Sequence, residues 1–301
     1  MSRIATVFGA SGEQGSSVLN AILKDGTFKP RVVTRNTNSD SSKKFVELGA
    51  EVVQADSGDR ESLKKALAGS EVVFLVTFLF GATSEFDQGK NVIDISKEVG
   101  VKFLVFSSLP SLTELSKGKY TQAFHFDGKD KIQKYLDASG LPHASISTGW
   151  FLENLLKVNR KGQPTFEKTE TGYVYHAFGF PGMAYAVSWI QHDLGQTFVA
   201  LAKQYDTRPD EVLGQNFVIG IARPKVEDIV KELSEGLGAP VELKYEGKIG
   251  LAPFDEMYAS AAELDWYPGV EFPDPRLEKL GVKLGTIVEF ARTTLKTHVG
   301  A

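Results

Sequence analysis

Three groups of residues in this chain have the types and spacing that do chemistry. Gly9, Gly12 and Gly15 stand at every third position, directly after the apolar run 4–8 and before Ser17-Val18-Leu19-Asn20-Ala21-Ile22-Leu23. That order predicts a strand, a turn and a helix. Glycines at such a junction let a ligand approach the backbone closely, and the first helical N–H groups with the helix dipole favour an anion. Gly9, Ala10, Ser11, Gly12, Glu13, Gln14 and Gly15 are therefore the expected seat of a dinucleotide pyrophosphate. The spacing Gly-x-x-Gly-x-x-Gly is weaker than Gly-x-Gly-x-x-Gly, and its strand-turn-helix setting is what gives it weight. The alternative is a glycine turn that closes a βα unit and binds nothing.

The second group lies at the ends of the next apolar runs. Arg35 falls 20 residues after Gly15, where a dinucleotide protein faces the adenosine ribose. An acid there bonds the 2′-hydroxyl of NAD, whereas an arginine pairs with a 2′-phosphate through charge-assisted bonds. With no acid at Arg35 or Asn36, NADP(H) is expected over NAD(H). A solvated surface arginine is the competing reading. Asp56 and Ser57 are placed at the adenine edge, and Thr77, Phe78 and Leu79 beside the adenosine or pyrophosphate.

The third group is His125-Phe126-Asp127-Gly128-Lys129. Hydride chemistry on such a frame commonly uses Tyr-x-x-x-Lys, whose two side chains meet on one helix face; that spacing is absent. Here Lys129 is expected to bond the nicotinamide ribose or donate a proton, and His125 to serve as the acid because an ordinary imidazole titrates near neutrality. A structural histidine is the alternative. Ser107-Ser108 suits a substrate-binding serine or a helix cap equally well. Tyr173, Tyr175, Phe178, Phe180 and Tyr185 either line an apolar pocket or fill a core. The five histidines show no ligand spacing, and without cysteine no metal site is expected.

The elements that must position these residues alternate. Strands are expected at 4–8, 30–35, 51–56, 72–77, 103–108 and 144–148, with helices between them, the last at 127–139. Runs without polar alternation are strands covered on both faces. The expectation is an α/β, NAD(P)-binding Rossmann fold with a doubly wound parallel sheet over 1–150. A smaller C-terminal α/β lobe over 151–301 is expected to lie on the carboxyl edge of the sheet, with segments returning to it. Within the lobe, helices are expected at 151–158, 193–203, 226–237 and 277–295, and a strand near 217–219.

Composition narrows the function classes. A chain of 301 residues with net charge −4 argues against direct binding of nucleic acid. The first strand begins within a few residues of Met1, and the longest apolar stretch, 72–80, is too short for a bilayer. A cytoplasmic or nuclear protein with no membrane partner is expected.

Phe8 to Gly15, Arg31-Val32-Val33-Thr34-Arg35-Asn36, His125 to Lys129 and Phe151-Leu152-Glu153-Asn154 together resemble the NmrA-like family of atypical short-chain dehydrogenases/reductases, in particular its animal NADPH-sensor branch. The likeness is specific over 1–160 and thin beyond, where it rests on element order and Leu213-Gly214-Gln215-Asn216. It implies a Rossmann domain that binds NADP(H). The pyrophosphate would lie on Gly9 to Gln14, the 2′-phosphate on Arg35 and the loop to Ser39, and the nicotinamide end near Lys129 and Phe151 to Asn154. Two departures stand out: Thr37, Asn38 and Ser39 replace further basic residues, and Asp87 or a neighbour replaces a lysine after the fourth strand. The resemblance implies a redox sensor or regulator, responding to NADPH and acting on a protein partner such as a transcription factor. The alternative is an NADPH-dependent reductase of a small carbonyl, enone or imine substrate.

Overall fold

The computed structural model describes residues 3–159 and 162–300. Its first half alternates β1 (Ile4–Phe8), α1 (Glu13–Asp25), β2 (Lys29–Thr34), α2 (Asp40–Glu47), β3 (Glu51–Gln54), α3 (Arg60–Leu67), β4 (Val72–Leu75), α4 (Glu85–Glu98), β5 (Phe103–Ser108), α5 (Leu112–Leu115), α6 (Phe124–Ser139) and β6 (His143–Ser147). The second half contains β7 (Trp150–Phe151), β8 (Phe166–Lys168), β9 (Tyr173–Phe178), β10 (Val187–Ser188), α7 (Ile190–Gln204), α8 (Pro209–Val212), β11 (Asn216–Val218), α9 (Val226–Leu237), β12 (Val241–Gly247) and α10 (Ala252–Ala261).

Seven strands form one parallel sheet in the order β11-β6-β5-β4-β1-β2-β3. The strand order reverses between β1 and β4, which opens a crevice at their carboxyl ends where open α/β sheets take ligands. All residues of β4, β5 and β6 are buried, as strands covered on both faces must be. One face packs under α1 and α7, the other under α3, α4 and α6. α1 and α7 lie close enough for Ser17 Oγ to donate to the Ile190 carbonyl (2.7 Å) and accept from the Gly195 N–H (3.0 Å). The lobe has its own core around Trp150, Tyr175, Tyr185 and Trp266, and a three-stranded sheet in the order β12-β9-β8.

Several expected elements differ. The helix expected at 151–158 is a two-residue strand and a 3-10 turn over Leu152–Leu156, because Glu153 is drawn inward. Its carboxylate accepts from the N–H groups of Ile190 (3.2 Å) and Gln191 (2.7 Å) and caps α7. The helix expected at 277–295 is split into Pro275–Lys279 and a segment beginning at Ile287. Between them Gly285 donates to buried Asp193 (2.9 Å), and a side chain there would run into the Trp189 ring. The strand expected at 72–77 ends at Leu75, and the helix expected from 127 begins at Phe124, which brings His125 into it. β12 and α10 have no counterpart in the expectation. No helix among the described residues is long and apolar enough to cross a membrane.

Candidate functional site

The glycine turn is shaped by contact distances. Gly9 has φ +69°, and Gly15 lies so close beneath it that an added Cβ would stand 2.2 Å from the Gly9 carbonyl oxygen. α1 begins after Gly12, with no side-chain hydrogen bond capping its N-terminal N–H groups. The N-terminal positive end of α1 therefore meets the crevice unobstructed by a side-chain cap.

Two cavities flank this turn. The first, about 330 Å³, is lined by Gly9, Ala10, Ser11, Arg35, Asn36, Asp56, Ser57 and Phe78, eight of the expected site residues, together with Phe45, Phe80 and Gln88. Arg35 is exposed at its edge, and only its backbone carbonyl is engaged, by Gln54 Nε2 (3.2 Å). Asn36 organises the following loop: its Oδ1 accepts from the Asn38 N–H and its carbonyl from Ser39 and Ser42 hydroxyls. Asp56 Oδ1 accepts from the Gly58 N–H (2.7 Å). Phe78 and Phe80, 51% and 73% exposed, form the mouth. Asp87 lies in the first turn of α4, where its N–H bonds the capping Ser84.

The second cavity, about 480 Å³, takes in Gln14, His125, Lys129, Phe151 and Asn154 from the expected set, with Ser107, Tyr175 and Phe178. Gln14 is the hinge between the two regions, since it belongs to the first turn of α1 and accepts from Ser107 Oγ (2.5 Å). Gly12, Glu13, Gly15, Thr77 and Leu79 line neither cavity. Thr77 instead donates to Glu85 Oε1 (2.8 Å).

Lys129 is ion-paired to Glu85 Oε1, with both side chains nearly buried. Gly128 makes room for this carboxylate: a Cβ there would stand 2.8 Å from Glu85 Oε2, which has no partner. Glu85 and Gln88 hold site elements in place and are not singled out by the sequence. Gln88 holds the 78–83 loop by accepting from the Phe78 N–H and donating to the Phe78 and Thr83 carbonyls. The available signal was two polar side chains three residues apart on the buried face of α4.

His125 is the clearest correction. Burial, with the Lys129 cation adding to it, pushes its pKa down to about 4, so it does not titrate near neutrality. Both ring nitrogens are buried without a hydrogen-bond partner, and the ring packs against Phe126 (5.0 Å) and Phe254 (5.2 Å). Of the aromatics weighed as pocket or core, Tyr175 and Phe178 line the second cavity, Tyr173 and Tyr185 are core, and Phe180 is exposed. Among the described residues no group of three or more His, Asp or Glu is placed to hold a metal ion.

The NmrA-like family model matches residues 1–245. An NmrA-like family domain-containing oxidoreductase, lnaB of Aspergillus flavus, is 37% identical over 163 residues, 51% of this chain and 48% of that protein. The chain thus spans about half the length of the curated relatives it matches. Among solved structures, NmrA, a negative transcriptional regulator, in complex with NADP aligns over 100% of this chain and 98% of its own, with TM-score 0.78 and 15% identity. Triphenylmethane reductase of Citrobacter sp., complexed with NADP(H), aligns over 97% and 99%, with TM-score 0.71 and 15% identity. At such identities the likeness shows the fold.

Proposed function

The chain belongs to the NmrA-like family, and from that premise we propose that it is an NADP(H)-dependent oxidoreductase whose substrate occupies the aromatic cavity beside Lys129. The observation that carries this reading is the arrangement of the two cavities about one helix N-terminus: Gln14, on the first turn of α1, lines the second, and Gly9 to Ser11 line the first. The residues present fit a dinucleotide, because the glycine turn has no side chain where a pyrophosphate must approach and the crevice lies at the switch point of the sheet.

In this reading Gly9 to Gln14 hold the pyrophosphate, and Arg35 with Asn36 and the serine loop hold the 2′-phosphate. Asp56, Ser57 and Phe78 surround the adenosine, and Lys129, Phe151 and Asn154 lie at the nicotinamide end. NADPH supplies a hydride when bound. Lys129, fixed by Glu85, directs one positive group at the junction, and the aromatic walls exclude water from it. His125, neutral at pH 7, acts through hydrogen bonding and not as an imidazolium acid. The NADP(H)-bound Citrobacter reductase and the oxidoreductase name of lnaB support this reading.

The test is NADPH oxidation over a panel of neutral aldehydes, ketones, enones and imines, with Lys129→Met as control. Turnover that the control abolishes is expected; tight NADPH binding without any turnover contradicts the enzyme reading. A second reading, a regulator whose occupancy by cofactor governs a protein partner such as a transcription factor, is favoured by one observation. Phe78 and Phe80 stand exposed at the mouth of the first cavity, where a bound cofactor would alter the surface offered to that partner.

A further inference from the structure

The second cavity is largely apolar, and each basic group that lines it is already accounted for. Lys129 is paired with Glu85, and His176 lies between Glu246 (Nδ1, 2.7 Å) and Glu167 (Nε2, 3.1 Å). The cation of Lys157, at the rim, is 45% exposed and 3.9 Å from Glu13. His125 carries no charge at neutral pH. An anionic ligand would find no unpaired cation on the floor, and its desolvation would go unrepaid.

What the floor does offer is the pair of His125 nitrogens. A neutral imidazole has one N–H donor and one acceptor, and both atoms here are buried and unbonded. Leaving such groups without partners is unfavourable, a deficit a ligand can relieve. Phe254, on α10, covers the ring at 5.2 Å. α10 is joined to the lobe by Glu256 accepting from the Gln122 N–H (2.7 Å) and by the Ala184 N–H donating to the Ala261 carbonyl (3.0 Å), with Met257, Tyr258 and Ala261 packed into the lobe core.

We propose that this cavity takes an uncharged, ring-bearing molecule with a carbonyl-type oxygen, and that the N–H of His125 reads that oxygen once Phe254 gives way. The inference rests on the reading of this cavity as the substrate site. It makes His125 a specificity-determining residue. It also predicts that carboxylates of the same shape are rejected.

Three ring compounds of similar size separate the possibilities: acetophenone, which is neutral with an acceptor oxygen; benzoate, which is anionic; and ethylbenzene, which has no acceptor. Binding to the full chain is followed by calorimetry, and the acetophenone carbonyl band by infrared difference spectroscopy. Acetophenone is expected to bind about tenfold more tightly than either analogue, with its carbonyl band moved to lower frequency by the hydrogen bond. In His125→Phe that movement is lost, with no fall in melting temperature, because an unpaired buried polar ring is replaced by an apolar one. In Tyr258→Phe, which removes a cavity-lining hydroxyl that hydrogen-bonds Trp150 rather than His125, the movement is retained. Benzoate binding as tightly as acetophenone overturns the exclusion of charge. A band shift that survives His125→Phe, or that disappears in Tyr258→Phe, overturns the role of His125. If none of the three binds while NADPH still raises the melting temperature, the ligand class is wrong and the cofactor reading stands. If acetophenone behaves as expected while NADPH does nothing, the reverse holds.

Discussion

The two cavities that flank the glycine turn are built in opposite ways. The first is centred on the glycine turn at Gly9 to Ser11 and the ends of β1 to β3, where backbone lies open to a ligand, with Phe45, Phe78 and Phe80 on its walls. The second is made of side chains that arrive from α1, β5, α6, β7, β9 and α10. A backbone-built site tolerates changes of side chain and fails when atoms are added to it. A side-chain-built site fails when one partner of a buried pair is removed. Each half of the molecule is therefore vulnerable to a different kind of substitution.

The largest effect is expected in the second cavity. Lys129→Met strands the Glu85 carboxylate, which Thr77 alone then serves, and should destabilise the fold by about 3–5 kcal/mol by denaturant unfolding. Glu85→Gln together with Lys129→Met should recover most of that loss. A single variant as stable as the parent would show that the pair is not a buried constraint.

A pH effect of similar origin follows from His125. Its folded pKa of about 4 lies below the ordinary 6.5, so between these values the unfolded chain binds the extra proton. Stability therefore falls as pH falls through that window, by an amount on the order of 3 kcal/mol from this one group. His125→Phe should flatten the fall in thermal unfolding between pH 6.5 and 4; an unchanged slope would place its cause elsewhere.

Beneath the glycine turn, Gly15→Ala forces a Cβ against the Gly9 carbonyl and should destabilise by about 2 kcal/mol, and it should also abolish the melting-temperature rise given by NADPH. The smallest effect sharpens cofactor choice. Arg35→Ala, at an exposed position, should leave stability unchanged and weaken NADPH about tenfold or more while sparing NADH. Equal losses for the two cofactors would remove the arginine from the 2′-phosphate.

This difference in construction also explains what the sequence made legible. The parallel sheet and the glycine turn are local signals, because unbroken apolar runs and a three-residue glycine spacing lie within a few positions of each other. Arg35, Asp56 and Phe78 could be placed because each follows a strand of that sheet. Glu85 could not be singled out as the partner of Lys129, since 44 residues separate them and only the packing of α4 on α6 brings them together. The neutral state of His125 depends on burial by Phe254, which reaches it from α10, an element with no counterpart in the expected pattern. Glu153 was read as part of a helix near the nicotinamide end. Its role as the cap of α7 depends on a contact 37 residues away.

The central claim is that one dinucleotide spans both cavities, with adenosine in the first and nicotinamide in the second. Saturation-transfer NMR of NADPH bound to the full chain, with Phe151→Ala beside it, tests this most directly. The account expects adenine and nicotinamide protons to be saturated alike, and the variant to reduce the nicotinamide signals alone. Saturation confined to the adenine, or a variant that changes both ends equally, would contradict it.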